Sequence, residues 1–370
     1  MKKKILIVAN EFKNFYLFRK ELIESFSEKD FTIYLVGKFD SYESYFDKNE
    51  YILYNIDFFS NKKFIFNELK TIKNLAFLLF KVKPDVVLSF TIKPNIYLGF
   101  LNHFSSVIFI PNVSGIGTMF ITGRINKIIG ILAYKLSLIS SSVVFFQNKS
   151  QRDYFHTNKI IHRDKSKIIP GSGVVLNKKF TPKHISTDIK IVFVGRLILD
   201  KGIIEFIEAS NFFKNSNRLN FYIIGDYNKN NPRSIDFEIL KKWEENANCY
   251  YLGPKDNLKS ILTFFDLLVL PSYSEGLSKA LLDACNSGVP IVTSDIPGCR
   301  EVFSDNGYLI KVKNSIEIIN SISDFQNLSL TEINRISKNG YNNVKTNFGV
   351  DLVIKKYHES INQFLTKSKI

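Results

Sequence analysis

Ile189-Lys190-Ile191-Val192-Phe193-Val194-Gly195-Arg196-Leu197, with Asp200-Lys201-Gly202 close behind, is an apolar, β-branched run that stops at a glycine and restarts as a helix. A short run without polar alternation suits a strand covered on both faces, as in a parallel sheet. The glycine lets the backbone approach a ligand. Arg196 and Lys201 then stand beside a helix N-terminus, where the dipole favours anions. A guanidinium that binds two oxygens at once and an ammonium point charge together suit a diphosphate. Taken alone, the same residues also fit a plain strand–turn–helix with two solvated cations.

The pattern repeats on both sides of this stretch. Upstream, strands are expected at 4–9, 31–36, 85–90, 107–110 and 143–147, with helices at 61–82 and 119–139. Downstream, strands are expected at 220–224, 249–252, 267–270 and 290–293, with helices at 201–214, 257–264, 277–287, 330–345 and 350–366. A polar, proline-containing joint around 178–188 separates the two arrays. Two successive βαβ arrays in 370 residues imply an α/β chain of two doubly wound domains. In such sheets ligands bind at the carboxyl ends of the strands. The Gly-, Asn- and Pro-rich loops at 10–14, 91–95, 111–117, 195–202, 225–232, 253–257, 272–276 and 294–298 all follow strand ends. Two domains with those edges facing one another would enclose a cleft.

Composition narrows the class. Hydrophobic residues make up 45% and charged residues 23%, as in a globular chain and unlike a disordered or collagen-like one. No apolar run reaches the length of a membrane span, and the apolar residues after Met1-Lys2-Lys3-Lys4 are too few for a signal-peptide core. Cys249, Cys285 and Cys299 show neither close pairing nor metal spacing, so reduced thiols in a cytoplasm are expected. The net charge of +15 is unevenly spread. Residues 1–180 hold 27 Lys/Arg against 14 Asp/Glu, and residues 181–370 hold 23 against 21, giving +13 and +2. Such a field attracts anionic lipid, a phosphorylated substrate or nucleic acid, although an A/T-rich genome writes the same lysines.

A second stretch carries more chemistry. In Leu270-Pro271-Ser272-Tyr273-Ser274-Glu275-Gly276-Leu277-Ser278, an acid follows a strand end. Gly276, Leu277 and Ser278 then offer free backbone N–H groups at a helix start. Asp283 follows eight residues after Glu275, two turns up and on roughly the same side. A carboxylate here can accept from sugar hydroxyls while the N–H groups hold phosphate oxygens.

With these residues quoted, the chain resembles the retaining glycosyltransferase family 4, of GT-B fold. The Glu-x7-acid spacing and the Gly-Arg-Leu…Lys-Gly stretch before it carry the resemblance. So do Ile169–Val174, Pro297–Val302 and Gly307–Ile310. Lys93-Pro94-Asn95-Ile96-Tyr97 and Val113-Ser114-Gly115-Ile116-Gly117 resemble the branch that builds capsule, O-antigen and protein-linked glycans, often on undecaprenyl diphosphate. The resemblance implies an acceptor-binding domain over 1–180 and a nucleotide-sugar domain over 188–345. Residues 346–370 are then a terminal helix able to cross back to the first domain. It implies that Arg196 and Lys201 bind the donor diphosphate. Glu275 contacts the donor sugar, with Gly195, Gly253, Gly276, Leu277 and Ser278 beside it. Asp283, where the family usually has Glu, takes the ribose.

On the acceptor side it points to Asn14, Lys93, Asn95, Ser114, Gly115 and Gly117. The first loop, Asn10-Glu11-Phe12-Lys13-Asn14, lacks the glycine pair of many relatives. Where some relatives carry a His, this chain has Pro111-Asn112-Val113-Ser114, and His103 is read as structural. The sequence shows no Asp-x-Asp and no metal-ligand spacing, so no cofactor is expected beyond a nucleotide sugar. Arg196, Lys201 and helix N-termini are then read as neutralising the leaving diphosphate. The expected partners are a UDP-sugar, a lipid-linked glycan and the inner face of the cytoplasmic membrane, without nucleic acid. Helices 61–83 and 119–139 pair Lys/Arg with broad apolar faces that could lie on lipid or pack on the sheet. Two other readings stand beside this one. A nucleotide-sugar 2-epimerase would share the two-domain fold, but needs acids and a His that the sequence does not place. A non-enzymatic polyanion-binding protein would need a denser basic surface than these dispersed residues make.

Overall fold

The computed structural model describes residues 2–27, 31–58, 64–105, 107–115, 124–184, 187–229, 231, 233–246 and 248–367. The chain divides into two compact units, Met1–Ser172 with Val350–Ile370, and Gly173–Gly349. The division falls before the joint expected at 178–188.

Unit 1 holds a parallel sheet of seven strands: β1 (Lys3–Glu11), β2 (Phe31–Lys38), β3 (Tyr51–Asn55), β4 (Val86–Phe90), β5 (Ile108–Val113), β6 (Val144–Phe146) and β7 (Ser166–Ile168). Their order is β3-β2-β1-β4-β5-β6-β7, with Leu6 paired to Tyr34 on one side and Val87 on the other. Helices α1 (Phe12–Phe18), α2 (Lys20–Ser27), α3 (Phe64–Val82), α4 (Ile92–Asn102), α5 (Arg124–Ile139) and α6 (Lys149–Thr157) lie between strands. Alternation along the strands sorts the core into layers. Ile5, Ile7, Leu88 and Ile110 point towards α1 and α2, where Phe12, Phe15 and Ile23 are fully buried. Leu6, Val8, Val87 and Phe109 point the other way, against Leu75, Leu78 and Val82 of α3 and Leu98 of α4.

Unit 2 repeats the plan. Its strands are β8 (Ile189–Val194), β9 (Leu219–Ile224), β10 (Cys249–Tyr251), β11 (Leu267–Leu270), β12 (Ile291–Ser294) and β13 (Gly307–Ile310), ordered β10-β9-β8-β11-β12-β13 and all parallel. The helices are α7 (Ile203–Phe212), α8 (Phe237–Glu244), α9 (Leu258–Leu262), α10 (Lys279–Asn286), α11 (Ser315–Phe325) and α12 (Leu330–Asn347). α12 opens on a capping box, with the Ser329 side chain accepting from the Glu332 N–H and Glu332 reaching back. After it, α13 (Val350–Lys367) returns to unit 1, where Val353, Tyr357, Ile361 and Leu365 join the core under α1 and α2.

In each sheet the strand order reverses once, between β1 and β4 and between β8 and β11. In open α/β sheets the crevice at such a reversal, beyond the carboxyl ends, is where ligands sit.

Candidate active site

The two stretches singled out in unit 2 leave the two strands that flank its reversal. Gly195-Arg196 follows β8, and Pro271–Ser278 follows β11. Glycine geometry presses them together. A Cβ at Gly225, past the end of β9, would lie 1.8 Å from the Gly195 carbonyl oxygen, so the loops beyond β8 and β9 touch through bare backbone. Gly202 has φ +70° and ends the 3-10 turn Leu199–Lys201. A Cβ there would lie 2.1 Å from the Pro271 carbonyl oxygen, so the turn bearing Lys201 rests on the loop bearing Glu275. The Tyr273 N–H also donates to the Asp200 carbonyl, 2.8 Å.

The outcome is a direct ion pair. Lys201 Nζ donates to Glu275 Oε1 at 2.5 Å, and the Ser272 hydroxyl donates to the same oxygen at 2.9 Å. Both side chains are largely shielded from water, which strengthens their attraction but costs desolvation. A Cβ at Gly195 would meet the Lys201 stem at 3.7 Å, placing that glycine beside the pair. Arg196 is exposed, and no described residue pairs with it. Thus Lys201, Glu275, Gly195 and the start of α10 share one place, with the Arg196 guanidinium left to solvent.

The helix start is less open than its spacing suggests. The Ser278 N–H donates to the Gly298 carbonyl at 3.0 Å, so it is not free for a phosphate, which corrects the expectation of three free donors. The Ser278 hydroxyl caps α10, accepting from the Leu281 N–H. Leu277 is half-buried against the unit 2 core. Gly298 (φ +90°) packs on this turn: a Cβ there would lie 2.7 Å from the carbonyl oxygens of Glu275 and Gly276. Asp283 is buried, and Lys279 holds both its oxygens at 2.8 and 2.9 Å. Gly253, at φ +68°, follows β10 with open space where a Cβ would stand.

Several neighbours escaped the sequence reading. Tyr273 donates its hydroxyl to Glu205 Oε1 at 2.5 Å, while Glu205 Oε2 is buried without a partner. Burial and that carboxylate raise the Tyr273 pKa. Arg233 grips both Asp200 oxygens, beside Lys201. Cys299 is buried, and burial raises its thiol pKa, with the Glu275 carboxylate adding to the shift. Tyr273 and Cys299 stand in stretches already singled out for other residues, whereas Glu205 and Arg233 meet their partners across long sequence separations.

On the acceptor side the structure redistributes the candidates. The expected loop at 10–14 does not form, because β1 runs to Glu11 and α1 starts at Phe12, with Asn14 inside the helix and its Oδ1 buried without a partner. Lys93 donates to Glu68 and to the Phe58 carbonyl, each at 2.7 Å, and Tyr97 donates to the same carboxylate. Asn95 is fully buried. It accepts from the Ser89 hydroxyl at 2.6 Å and donates to the Asn112 carbonyl at 2.8 Å. Asn95 is therefore a brace between β4, α4 and β5 and not an acceptor contact. Ser114 and Gly115 lie half-buried just past β5. Gly117 lies outside the described residues. His103 follows α4 and its Nε2 lies 2.7 Å from the Leu136 carbonyl oxygen, a structural contact.

One further feature stands at the unit 1 reversal. Thr91, a β-branched residue, has φ +71° directly after β4, and its hydroxyl donates to Asn10 Oδ1 at 2.8 Å. Such strain costs on the order of 1–3 kcal/mol and gathers at functional sites. The loop after β4 thus carries a second signal that spacing alone did not show.

Comparison with known proteins agrees with this architecture. Residues 176–343 match the model of glycosyl transferases group 1, and residues 4–148 match that of glycosyl transferase 4-like domains. An N,N'-diacetylbacillosaminyl-diphospho-undecaprenol alpha-1,3-N-acetylgalactosaminyltransferase of Campylobacter jejuni is 29% identical over 57% of this chain and 59% of its own length. A UDP-Gal:alpha-D-GlcNAc-diphosphoundecaprenol alpha-1,3-galactosyltransferase of Escherichia coli is 29% identical over 52% of this chain and 56% of its own. The matched stretch therefore spans little more than half the length of these curated relatives. The capsular polysaccharide glycosyltransferase CapM of Staphylococcus aureus is 22% identical over 82% of this chain and 83% of its own. Among solved structures, sucrose-phosphate synthase from Thermosynechococcus elongatus superposes with a TM-score of 0.81 at 14% identity, over 99% of this chain and 100% of that one. The Anabaena protein Alr3699/HepE, in complex with UDP and glucose, gives 0.79 at 14% over 97% and 99%. The fold is GT-B, and with a 4-like domain in its first unit and a group 1 domain in its second, the chain belongs to the family 4 glycosyltransferases.

Proposed function

We propose that this protein moves a hexose or N-acetylhexosamine from a UDP-sugar to a glycan carried on undecaprenyl diphosphate, with retention at the anomeric carbon. The observation that carries the reading is the Lys201–Glu275 pair at the β8/β11 reversal, beside Gly195 and the exposed Arg196. Lys201 and Arg196 supply two cations where a leaving diphosphate gathers charge. Glu275 offers a carboxylate for sugar hydroxyls, and Asp283, further along α10, is the candidate for the ribose. The acceptor hydroxyl attacks the anomeric carbon on the face the nucleotide leaves. As the new C–O bond forms, the bond to UDP breaks, and the hydroxyl proton passes to the departing phosphate oxygen. Neutralisation by Arg196 and Lys201 lets the step run without a metal ion or other cofactor. Relatives named for undecaprenyl-linked substrates support the acceptor class. A lipid-borne acceptor would hold the enzyme against the inner face of the cytoplasmic membrane.

The test is a panel of UDP- and GDP-sugars with lipid-linked acceptor extract, with and without EDTA. UDP release from one donor, dependent on the extract and indifferent to EDTA, with an anomeric proton coupling that matches the donor, is the expected result. Release that EDTA abolishes would remove metal independence, and an inverted product would remove the mechanism. Epimerised sugar without transfer would replace the reading with the epimerase.

A further inference from the structure

Helices α3, α4 and α5 cover one face of the unit 1 sheet and are tied side to side. Glu68 of α3 holds Lys93 and Tyr97 of α4. Gly99 of α4 sits so close to α5 that a Cβ would lie 2.3 Å from the Ser137 carbonyl oxygen. Each outer helix carries two apolar stripes. On α3, Leu75, Leu78 and Val82 pack on the sheet, as a doubly wound domain requires. Phe66, Phe77 and Phe80, eleven and three residues apart and so together on the opposite side, are 78%, 65% and 76% exposed. On α5, Tyr134 and Leu138 face the sheet, while Leu132, Leu136 and Ile139 are half exposed. Phe104, just past α4, is exposed as well. The packing requirement explains the first stripe of each helix and leaves the second without one. Outward rows of large apolar side chains of this kind mark interaction surfaces, unlike the single apolar residues scattered over most folded chains.

We infer that this α3–α4–α5 face docks on an anionic lipid bilayer, with the outward Phe and Leu side chains in the acyl boundary. The inference rests on the proposed membrane location and names the surface responsible. Charge decides the occupant. The three helices contain one acid, Glu68, which is already engaged, and seven cations: Lys70, Lys73, Lys81, Lys93, Arg124, Lys127 and Lys135. A second copy seated on this face would set lysines against lysines. Anionic headgroups instead match the exposed Lys70, Lys73, Lys127 and Lys135, whose stems let the ammonium groups reach the headgroups while the rings sink deeper. No helix among the described residues is long and apolar enough to cross a membrane, so the contact lies in the interface plane.

The test uses the full chain and sedimentation with vesicles of phosphatidylcholine alone or with about one-third phosphatidylglycerol. Wild type should pellet with the anionic vesicles and stay in solution with the neutral ones. The double variants F77S/F80S and L132S/L136S should each lower partitioning about tenfold or more, and K70E/K73E should abolish the anionic preference. Melting curves report folding, and UDP release with an acceptor dispersed in detergent reports the donor site, so a failed docking face and a failed enzymatic reading give different patterns. Equal partitioning of wild type and all three variants would overturn the inference. So would a dimer in light scattering that the apolar variants dissociate, which would assign the face to a second copy.

Discussion

Glu275 Oε1 takes hydrogen bonds from both Lys201 and Ser272, so the opposite charges of the proposed donor site hold each other in place. Preorganised charges of this kind gain most where charge develops in the transition state. Glu275→Ala and Lys201→Ala should each lower transfer by about 10²–10³-fold, the usual cost of removing one such group, with little change in melting temperature. Unchanged kcat/KM in either variant would remove these residues from the reaction. Tyr273 acts one step further out, through its hydroxyl on the buried Glu205. Tyr273→Phe leaves that carboxylate without its donor and should lower unfolding stability by about 1–3 kcal/mol. Because the same loop carries Glu275, donor KM should rise in the variant. A denaturant titration beside donor kinetics checks both effects.

Single turns decide how the strand ends meet. Gly202 can adopt φ +70° and admit the Pro271 carbonyl because it lacks a Cβ. Gly202→Ala should therefore cost about 1–3 kcal/mol or more and loosen the Lys201–Glu275 contact, seen as a lower melting temperature together with lost transfer. At the opposite ends of β8 and β11, Lys183 is buried and donates to the carbonyls of Thr263 and Phe265, with Asp266 nearby. Lys183, Thr263 and Asp266 line a cavity of about 380 Å³. Burial pushes the Lys183 ammonium from 10.5 down to about 8, and Asp266 opposes the shift. Its folded pKa lies below its unfolded one, so between about pH 8 and 10.5 the unfolded chain binds more protons and stability rises with pH. Below that window the burial penalty is fully present. Lys183→Met, which does not titrate, should lack this rise. Denaturation midpoints at pH 7 and pH 10 for both proteins measure it.

For the whole molecule, the chain returns to its first unit at the end. α13 sets Tyr357 among the core aromatics, 4.6 Å from the Phe145 ring centroid, and Tyr357 OH accepts from Asn112 Nδ2 at 2.8 Å. Arg19 stacks on Phe90 in the same layer. Burial pushes the Tyr357 hydroxyl up to about 12, so it stays protonated through the working range. Tyr357→Ala should cost about 3–5 kcal/mol and act on unit 1. Hydrogen exchange would report this as lost protection in β4, β5 and α2, with β8, β9 and β11 unchanged.

Much of this architecture is written locally. Buried apolar runs, each ending in Gly, Pro or Asn, declare parallel strands whose carboxyl ends carry the chemistry, and they place Arg196, Lys201 and Glu275 on two such ends. The short edge strands β3, β7 and β13 were not read, since three to five residues with few neighbours leave little periodic signal. Partners at a distance left none at all. Lys93 looks like an acceptor contact until Glu68, 25 residues away, takes it up, and Asn112 meets Tyr357 across 245 residues. Periodicity showed that α3 and α5 are apolar around much of their circumference, but which stripe meets the sheet and which meets water depends on where the sheet lies. Spacing along a chain reports which residues share an element. Whether a polar or apolar side chain is already satisfied is settled by what folding brings from elsewhere, because burial and hydrogen bonding belong to pairs of segments.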